Sequence, residues 1–203
     1  MSMIIQIKGS NASGKTTIVK QLIELSDSVR YLRWNNGKIY ATVMDDLQWV
    51  AVGFYDDKPM GGCDRLHTVD HVKRAIVDIM DDYPDYAIVF EGMMISTIKS
   101  TFYNYLLELQ DSDNICPVFV ILRTTIDGCI ARLESRRTHK GVIKQSTVDG
   151  MERKCIAIVR HALTYDQDRV AWMDVDAIAN KNMVGTFLEL VSSKGCTASH
   201  VQS

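Results

Sequence analysis

The sequence predicts an α/β fold: three layers, α/β/α, with a mostly parallel central sheet between two sets of helices. Three observations predict it. Apolar stretches of strand length alternate with stretches of helical periodicity along the chain, the pattern of successive βαβ units. Two of those stretches, Tyr86–Phe90 and Ile115–Leu122, are almost wholly apolar, as strands covered on both faces must be. The first strand, Met3–Lys8, also passes into the first helix, Lys15–Leu25, through a turn bearing glycines at 9 and 14. Right-handed crossovers then place helices on both faces and bring the loops after the strands to one edge of the sheet.

Each element has its own signal. The first helix ends near Ser26-Asp27-Ser28. Val29–Trp34 and Lys38–Met44 flank Asn35-Asn36-Gly37, a hairpin signal because Asn and Gly accept positive φ. Leu47–Tyr55 is a third short strand, so residues 29–55 read as an added β-hairpin region, followed by a loop to Gly62. Thr68–Met80 is helical, with Val69, Val72, Ile76 and Ile79 on one side, and Pro84 stops it. The strand Tyr86–Phe90 follows, then a helix at about Ile98–Leu109 and the strand Ile115–Leu122. Ile126–Arg137 is helical and breaks at His139-Lys140-Gly141. A helix over Val148–Leu163, a strand over Val170–Val175 and a helix over Met183–Val191 complete the order, with the tail from Lys194 expected to fray.

The chain has 203 residues, 46% of them hydrophobic, and three prolines, enough for one α/β domain with a sizeable core over residues 1–203. A net charge of −2 and a pI near 6.2 leave no global basic field, so any contact with nucleic acid must be local. Five dispersed cysteines without a C-x-x-C predict reduced thiols in a cytoplasmic protein. Met1-Ser2-Met3 leads into the first strand without a basic segment and long apolar run, and no 18-residue apolar run follows, so neither a signal peptide nor a membrane span is expected.

Gly9-Ser10-Asn11-Ala12-Ser13-Gly14-Lys15-Thr16 matches the G-x-x-x-x-G-K-[ST] phosphate loop, in the strand-to-helix context that the motif requires. Residues Gly9 to Thr17 are the expected site for the phosphates of ATP. Gly9 and Gly14 allow close backbone approach, Lys15 reaches the β/γ oxygens, and the Thr16 hydroxyl holds Mg²⁺. Glu91, where the strand Tyr86–Phe90 runs out, faces that metal and is either a metal ligand or a base for the acceptor hydroxyl. A strand-end carboxylate capping the next helix is the plainer alternative. Arg123, Arg132, Arg136, Arg137, His139, Lys140 and Lys144 form a basic cluster. Arg132 and Arg136 share a helix face, and with Arg137 they are candidates for a charge-neutralising lid over about 132–150. A solvated face paired through Glu134 is the alternative.

Gly61-Gly62-Cys63-Asp64-Arg65-Leu66 suits a backbone that approaches a ligand, with Asp64 a candidate for orienting the acceptor, or else a plain loop with a cap. Cys63, His67 and His71 step by four, but no fourth ligand is evident, so magnesium rather than zinc is expected. Trp34, Tyr40, Trp49, Phe54 and Tyr55 are able to stack on a base, although aromatics at strand spacing more often pack.

Together, Gly9-x4-Gly14-Lys15-Thr16, the strand-end Glu91 and Arg132-x3-Arg136-Arg137 make the chain resemble the thymidylate-kinase-like branch of the P-loop NTPase fold. More narrowly, Gly61-Gly62-Cys63-Asp64 with the downstream Phe90-Glu91-Gly92 is similar to the bacteriophage 5-hydroxymethyluracil DNA kinase family. The resemblance implies ATP-dependent phosphorylation of the 5-hydroxymethyl group of a modified pyrimidine already within DNA, a step in thymidine hypermodification. The partner is then modified DNA, met by the lid and by Arg30, Arg33 and Lys38 of the hairpin, and a homodimer is possible. One departure is Gly92-Met93-Met94 after Glu91, where thymidylate kinases carry an arginine that grips a nucleoside monophosphate. Two other readings stay open: a kinase of free deoxynucleosides or nucleoside monophosphates, and a non-kinase P-loop ATPase. No N-K-x-D string supports GTP specificity.

Overall fold

The first strand is buried along its whole length, and the sheet extends outward from it on both sides. The computed structural model describes residues 2–56, 61–97, 100–113, 115–136, 143–178 and 182–194. In chain order these contain β1 (Met3–Lys8), α1 (Lys15–Glu24), β2 (Val29–Arg33), β3 (Ile39–Met44), β4 (Trp49–Val52), α2 (Val69–Asp82), β5 (Ala87–Glu91), α3 (Met93–Ser96), α4 (Tyr105–Asp113), β6 (Cys116–Arg123), α5 (Ile126–Ser135), α6 (Gln145–Ala162), β7 (Val170–Asp174) and α7 (Met183–Ser192). The strands lie in the order β2-β3-β4-β5-β1-β6-β7. From β4 to β7 every pairing is parallel, whereas β3 runs antiparallel to both β2 and β4.

Alternation along β1 divides the core. Met3, Ile5 and Ile7 pack with Ile18, Leu22 and Phe187 of α1 and α7, while Ile4 packs with Ile76, Leu106 and Ile158 of α2, α4 and α6. Strand side chains alternate between faces, so one buried strand feeds two apolar layers. The expected α/β/α layering is therefore present.

The hairpin turn forms where Asn35-Asn36-Gly37 predicts it. Gly37 takes φ 78°, Trp34 N donates to Lys38 O at 3.0 Å, and Lys38 N donates to the Asn36 side chain at 3.0 Å. The segment expected as an addition lengthens the same sheet, and β4 joins β5 as part of its parallel portion. Most of the hairpin aromatics pack: Trp34 stacks on Tyr40 with centroids 5.0 Å apart, and Tyr40, Trp49 and Tyr55 are buried, while Tyr31 is exposed.

The described part of the helix expected over Ile98–Leu109 starts as a π-helical turn and continues without a break as α4. The short α3 follows Gly92, and a π-helical turn at Ser100–Asn104 leads into α4. That turn seats Phe102 against Phe90 at 5.3 Å and Tyr103 flat on Tyr165 at 4.0 Å, two contacts between residues distant in sequence. α6 begins at Gln145, one turn before its expected start. The tail from 195 and the break at 137–142 lie outside the described residues. Cys63, Cys129 and Cys155 are free thiols.

Two polar residues share Ile4's face of β1. Gln6 is buried and donates to Ile95 O at 3.0 Å. Lys8 is fully buried, donates to the Tyr165 hydroxyl at 3.0 Å, and lies 5.5 Å from that ring's centroid. Burial lowers its pKa from 10.5 to about 8, because a low-dielectric interior disfavours the ammonium. Between about pH 8 and 10.5 the folded chain has released a proton that the unfolded chain still holds. Stability therefore rises with pH through that window. Lys8→Met should flatten the rise and stabilise the protein at neutral pH, by up to roughly 3 kcal/mol, as read from urea unfolding at a series of pH values.

Candidate active site

Four loops meet at the edge where the parallel strands end: Gly9 after β1, Gly92 after β5, Thr124 after β6 and Val175 after β7. In a parallel α/β sheet this edge is where ligands bind. The phosphate-loop motif occupies the centre. Ala12 (φ 58°) and Gly14 (φ 102°) both lie in the left-handed region, which turns successive amides toward one point. A Cβ on Gly9 would stand 2.3 Å from Ser13 Oγ and 3.2 Å from Leu122 Cβ, so close approach favours glycine there, whereas at Gly14, where the near atom is the flexible end of Met183, the φ of 102° does. Ser13 is fully buried, and its hydroxyl has no protein partner.

Lys15 is the first residue of α1 and is nearly buried. Its ammonium donates to Gly9 O at 2.9 Å and Ser10 O at 2.8 Å, and lies 3.6 Å from Met93 Sδ. Desolvation lowers its pKa, while the carboxylates of Glu91 and Asp64 push the other way. Thr16 Oγ1 donates to Glu91 Oε1 at 3.0 Å. The register that sets Ile7 opposite Glu91 places that carboxylate beside the loop. Glu91 is buried, and burial raises its pKa from 4.5 to about 7 against the opposing pull of Lys15 and Thr16. A hydroxyl and a carboxylate 3.0 Å apart are the oxygen donors that a hard divalent cation takes. A nest of inward amides with an unpartnered hydroxyl and a lysine suits a polyphosphate. The residues present therefore fit both Mg²⁺ and a nucleotide. Asn11 and Thr17 are half-buried in the same segment.

The other expected residues divide. Asp64 reaches the site, but its two oxygens accept from Met93 N at 2.9 and 3.0 Å, and Oδ1 also accepts from Met94 N at 3.2 Å. It positions α3, so any influence on an acceptor passes through that helix. Arg65 turns to Asp56 at 2.6 Å. Arg132 lies against the loop: Nε donates to Ala12 O at 2.7 Å, Nη1 pairs with Asp176 at 3.0 Å, and Nη2 donates to Thr124. Arg136 ends α5 exposed, near enough for its charge to lower the Lys15 pKa. Arg137 lies outside the described residues. On the hairpin, Arg30 is closed by two bonds to Asp45 and one to Tyr83, and Arg33 donates to Gly37 O. The expected basic track therefore meets partners already in place at both arginines.

Asp176 went unanticipated. Burial alone would raise its pKa, but hydrogen bonds from Thr125 N, the Thr124 and Thr125 hydroxyls and Arg132 hold it at about 2. It ties the start of α5 to the loop through Arg132. Its one sequence signal is an acidic residue just past a late strand, on the edge that also carries Gly9. A cavity of about 190 Å³ opens beside Gly9 and Ser10, walled by Leu122, Thr124, Cys155 and Ile158.

A family model for 5-hmdU DNA kinase matches residues 2–185. The chain belongs to that family. Among its relatives, 5-hmdU DNA kinase 1 of Salmonella phage ViI is 27% identical over 183 residues, which cover 90% of this chain and 81% of the relative. The 5-hmdU DNA kinase of Pseudomonas phage M6 is 26% identical, covering 82% of this chain and 88% of the relative. That of Bacillus phage SP10 is 26% identical over 89% of this chain, which spans only 28% of that longer relative. Among solved structures, deoxyadenosine kinase from M. mycoides with bound dATP aligns with a TM-score of 0.45 at 11% identity, covering 93% of this chain and 98% of that one.

For this family member the buried Glu91 carries a pH signature. Between pH 4.5 and about 7 the folded chain retains a proton that the unfolded chain has lost, so stability falls as pH rises through that window. Glu91→Gln should remove that slope in nucleotide-free protein without unfolding it. Thermal melts across the window are the measurement, and an unchanged slope would contradict the burial.

Proposed function

We propose that this chain is an ATP- and Mg²⁺-dependent kinase that phosphorylates the 5-hydroxymethyl group of 5-hydroxymethyluracil within DNA. The observation that carries this reading is the family match over residues 2–185, joined to a phosphate-loop motif whose Thr16 hydroxyl meets a buried Glu91. Relatives named for this activity come from bacteriophages, so the proposed setting is the cytoplasm of an infected host. The proposed kinase unit is a single domain over residues 1–203.

In this reading the amides and side chains from Gly9 to Thr17 hold the triphosphate. Lys15 leaves the Gly9 and Ser10 carbonyls to reach the β/γ oxygens. Thr16 and Glu91 hold Mg²⁺, which when bound supplies positive charge against the transferring phosphoryl group. The alternative role for Glu91 is that of base: where it does not hold the metal, its buried carboxylate accepts the proton of the acceptor hydroxyl. Arg136 and Arg137 neutralise charge on the transferring group, and Arg132 steadies Ala12 and the loop in which it lies. Positioning and charge neutralisation dominate phosphoryl transfer, so these residues need do no covalent chemistry.

Incubation with γ-labelled ATP and one of three acceptors tests the reading: duplex DNA containing 5-hydroxymethyluracil, free nucleosides or their monophosphates, or none. Labelled DNA is the expected product. A labelled small molecule would favour a nucleoside or nucleotide kinase, and free phosphate alone an ATPase. Lys15→Ala should lower the labelling by orders of magnitude with little change in melting temperature.

A further inference from the structure

β2 is an outer strand of the sheet. It runs antiparallel to β3, which runs antiparallel to β4, so β2 points the same way as β4 and β5. Its last residue, Arg33, and the turn that follows therefore lie at the edge where β5 delivers Glu91. Along β2, Leu32 packs into the core shared with α2, so Tyr31 turns to the opposite face. On that face Trp49 is covered by Phe187 of α7 at 6.1 Å, whereas Tyr31 remains 45% exposed.

Tyr31 is braced from one side. Phe54 meets it edge-on, with centroids 5.3 Å apart and planes at 80°, and the Arg65 guanidinium lies 5.5 Å from the Phe54 centroid. Phe54 in turn is bridged to Gly62, whose N donates to Phe54 O at 3.2 Å. A Cβ on Gly62 would stand 2.6 Å from Glu91 Oε1. One series of contacts thus runs from Glu91 to an exposed ring. A ring braced in this way loses little freedom when a flat ligand stacks on it.

Charge is unevenly placed over the molecule. Glu24, Asp82 and Asp113 end α1, α2 and α4, and Asp45 and Asp46 follow β3 in the turn to β4. All five stand at the edge where the parallel strands begin. At the other edge, the end of the hairpin beside Tyr31 carries Arg33 and Lys38. Arg33 is exposed and spends one nitrogen on Gly37 O, while Asp56, which follows Phe54 by two residues, is paired with Arg65 at 2.6 Å. An exposed aromatic face beside a guanidinium and an ammonium, in a chain of net charge −2, has the chemistry of a nucleic-acid strand's partner: rings stack on bases and cations meet phosphates.

We propose that Tyr31 is a stacking platform for a base of the acceptor strand that neighbours the modified one, with Arg33 and Lys38 at the strand's phosphates. In a duplex both faces of a base are already covered by its neighbours, so the platform takes the strand unpaired at that position. The inference rests on the reading of DNA as acceptor, and it assigns Tyr31 to strand binding, apart from phosphoryl transfer.

Fluorescence anisotropy of a labelled single-stranded oligonucleotide containing 5-hydroxymethyluracil gives its affinity for the native protein, Tyr31→Ser and Tyr31→Phe. Serine is expected to weaken binding by about fivefold to a hundredfold. Phenylalanine should leave it near the native value, with ATP affinity and melting temperature unchanged in both variants. Moving a single abasic position along the oligonucleotide should find one place where the missing base weakens binding to the native protein but not to Tyr31→Ser. Native affinity in Tyr31→Ser, equal losses in both variants, or no such place would each overturn the proposal. So would a native dimer that Tyr31→Ser dissociates without a change in oligonucleotide affinity, which would give this face to a second copy. If Tyr31→Ser binds and labels modified DNA as the native chain does, the platform falls and the kinase reading stands. A native chain that binds no oligonucleotide and labels only a free nucleoside would end the DNA reading and the platform with it.

Discussion

Parallel pairing of β1 with β5, in the register that sets Ile7 opposite Glu91, is the constraint on which the site depends. It carries a carboxylate to the mouth of a loop that begins two residues beyond Ile7, and it does so inside the core. A carboxylate there is costly unless partners meet it. Thr16 donates to it, Lys15 lies within its field, and its pKa still stands near 7. The cluster is therefore held together by burial and adjacency rather than by surface ion pairs, which contribute little in water.

The surrounding backbone is shaped to permit that burial. Gly62 and Gly92 bracket Glu91 and Asp64 at distances that a side chain would violate, and Gly53 makes room for Gly62 in turn. Asp64 then fixes the start of α3, and the π-helical turn beyond it seats Phe102 and Tyr103 in the core. On the opposite side Asp176 performs a parallel task, gathering Thr124, Thr125 and Arg132, with Arg132 reaching the carbonyl of Ala12. Two aspartates thus brace the phosphate loop's surroundings from the ends of α3 and α5. Both spend their oxygens on protein donors.

Arg132 illustrates how a residue's partners decide its use. Helical spacing places it with Arg136 on one face, as a solvated cationic patch or a mobile set of charges would be placed. In the fold its guanidinium is shared among a carbonyl, a carboxylate and a hydroxyl. A guanidinium with planar, divergent donors suits such bracing. Arg30 shows the same effect on the hairpin, where Asp45 and Tyr83 take its donors.

Local pattern alone was enough for the layered α/β architecture, the hairpin turn at Asn35-Asn36-Gly37, the strand-to-helix setting of Gly9 to Thr16, and the strand-end position of Glu91. Those features follow from periodicity and glycine placement, which act over a few residues. Tertiary structure decided the rest. The joining of β4 to the parallel portion of the sheet, the capture of Asp64 by α3 and the role of Asp176 all arise between segments far apart in sequence. A side chain's free donors and acceptors are settled by whichever distant groups the sheet order brings within hydrogen-bonding distance, and sheet order depends on packing that no short stretch of residues encodes.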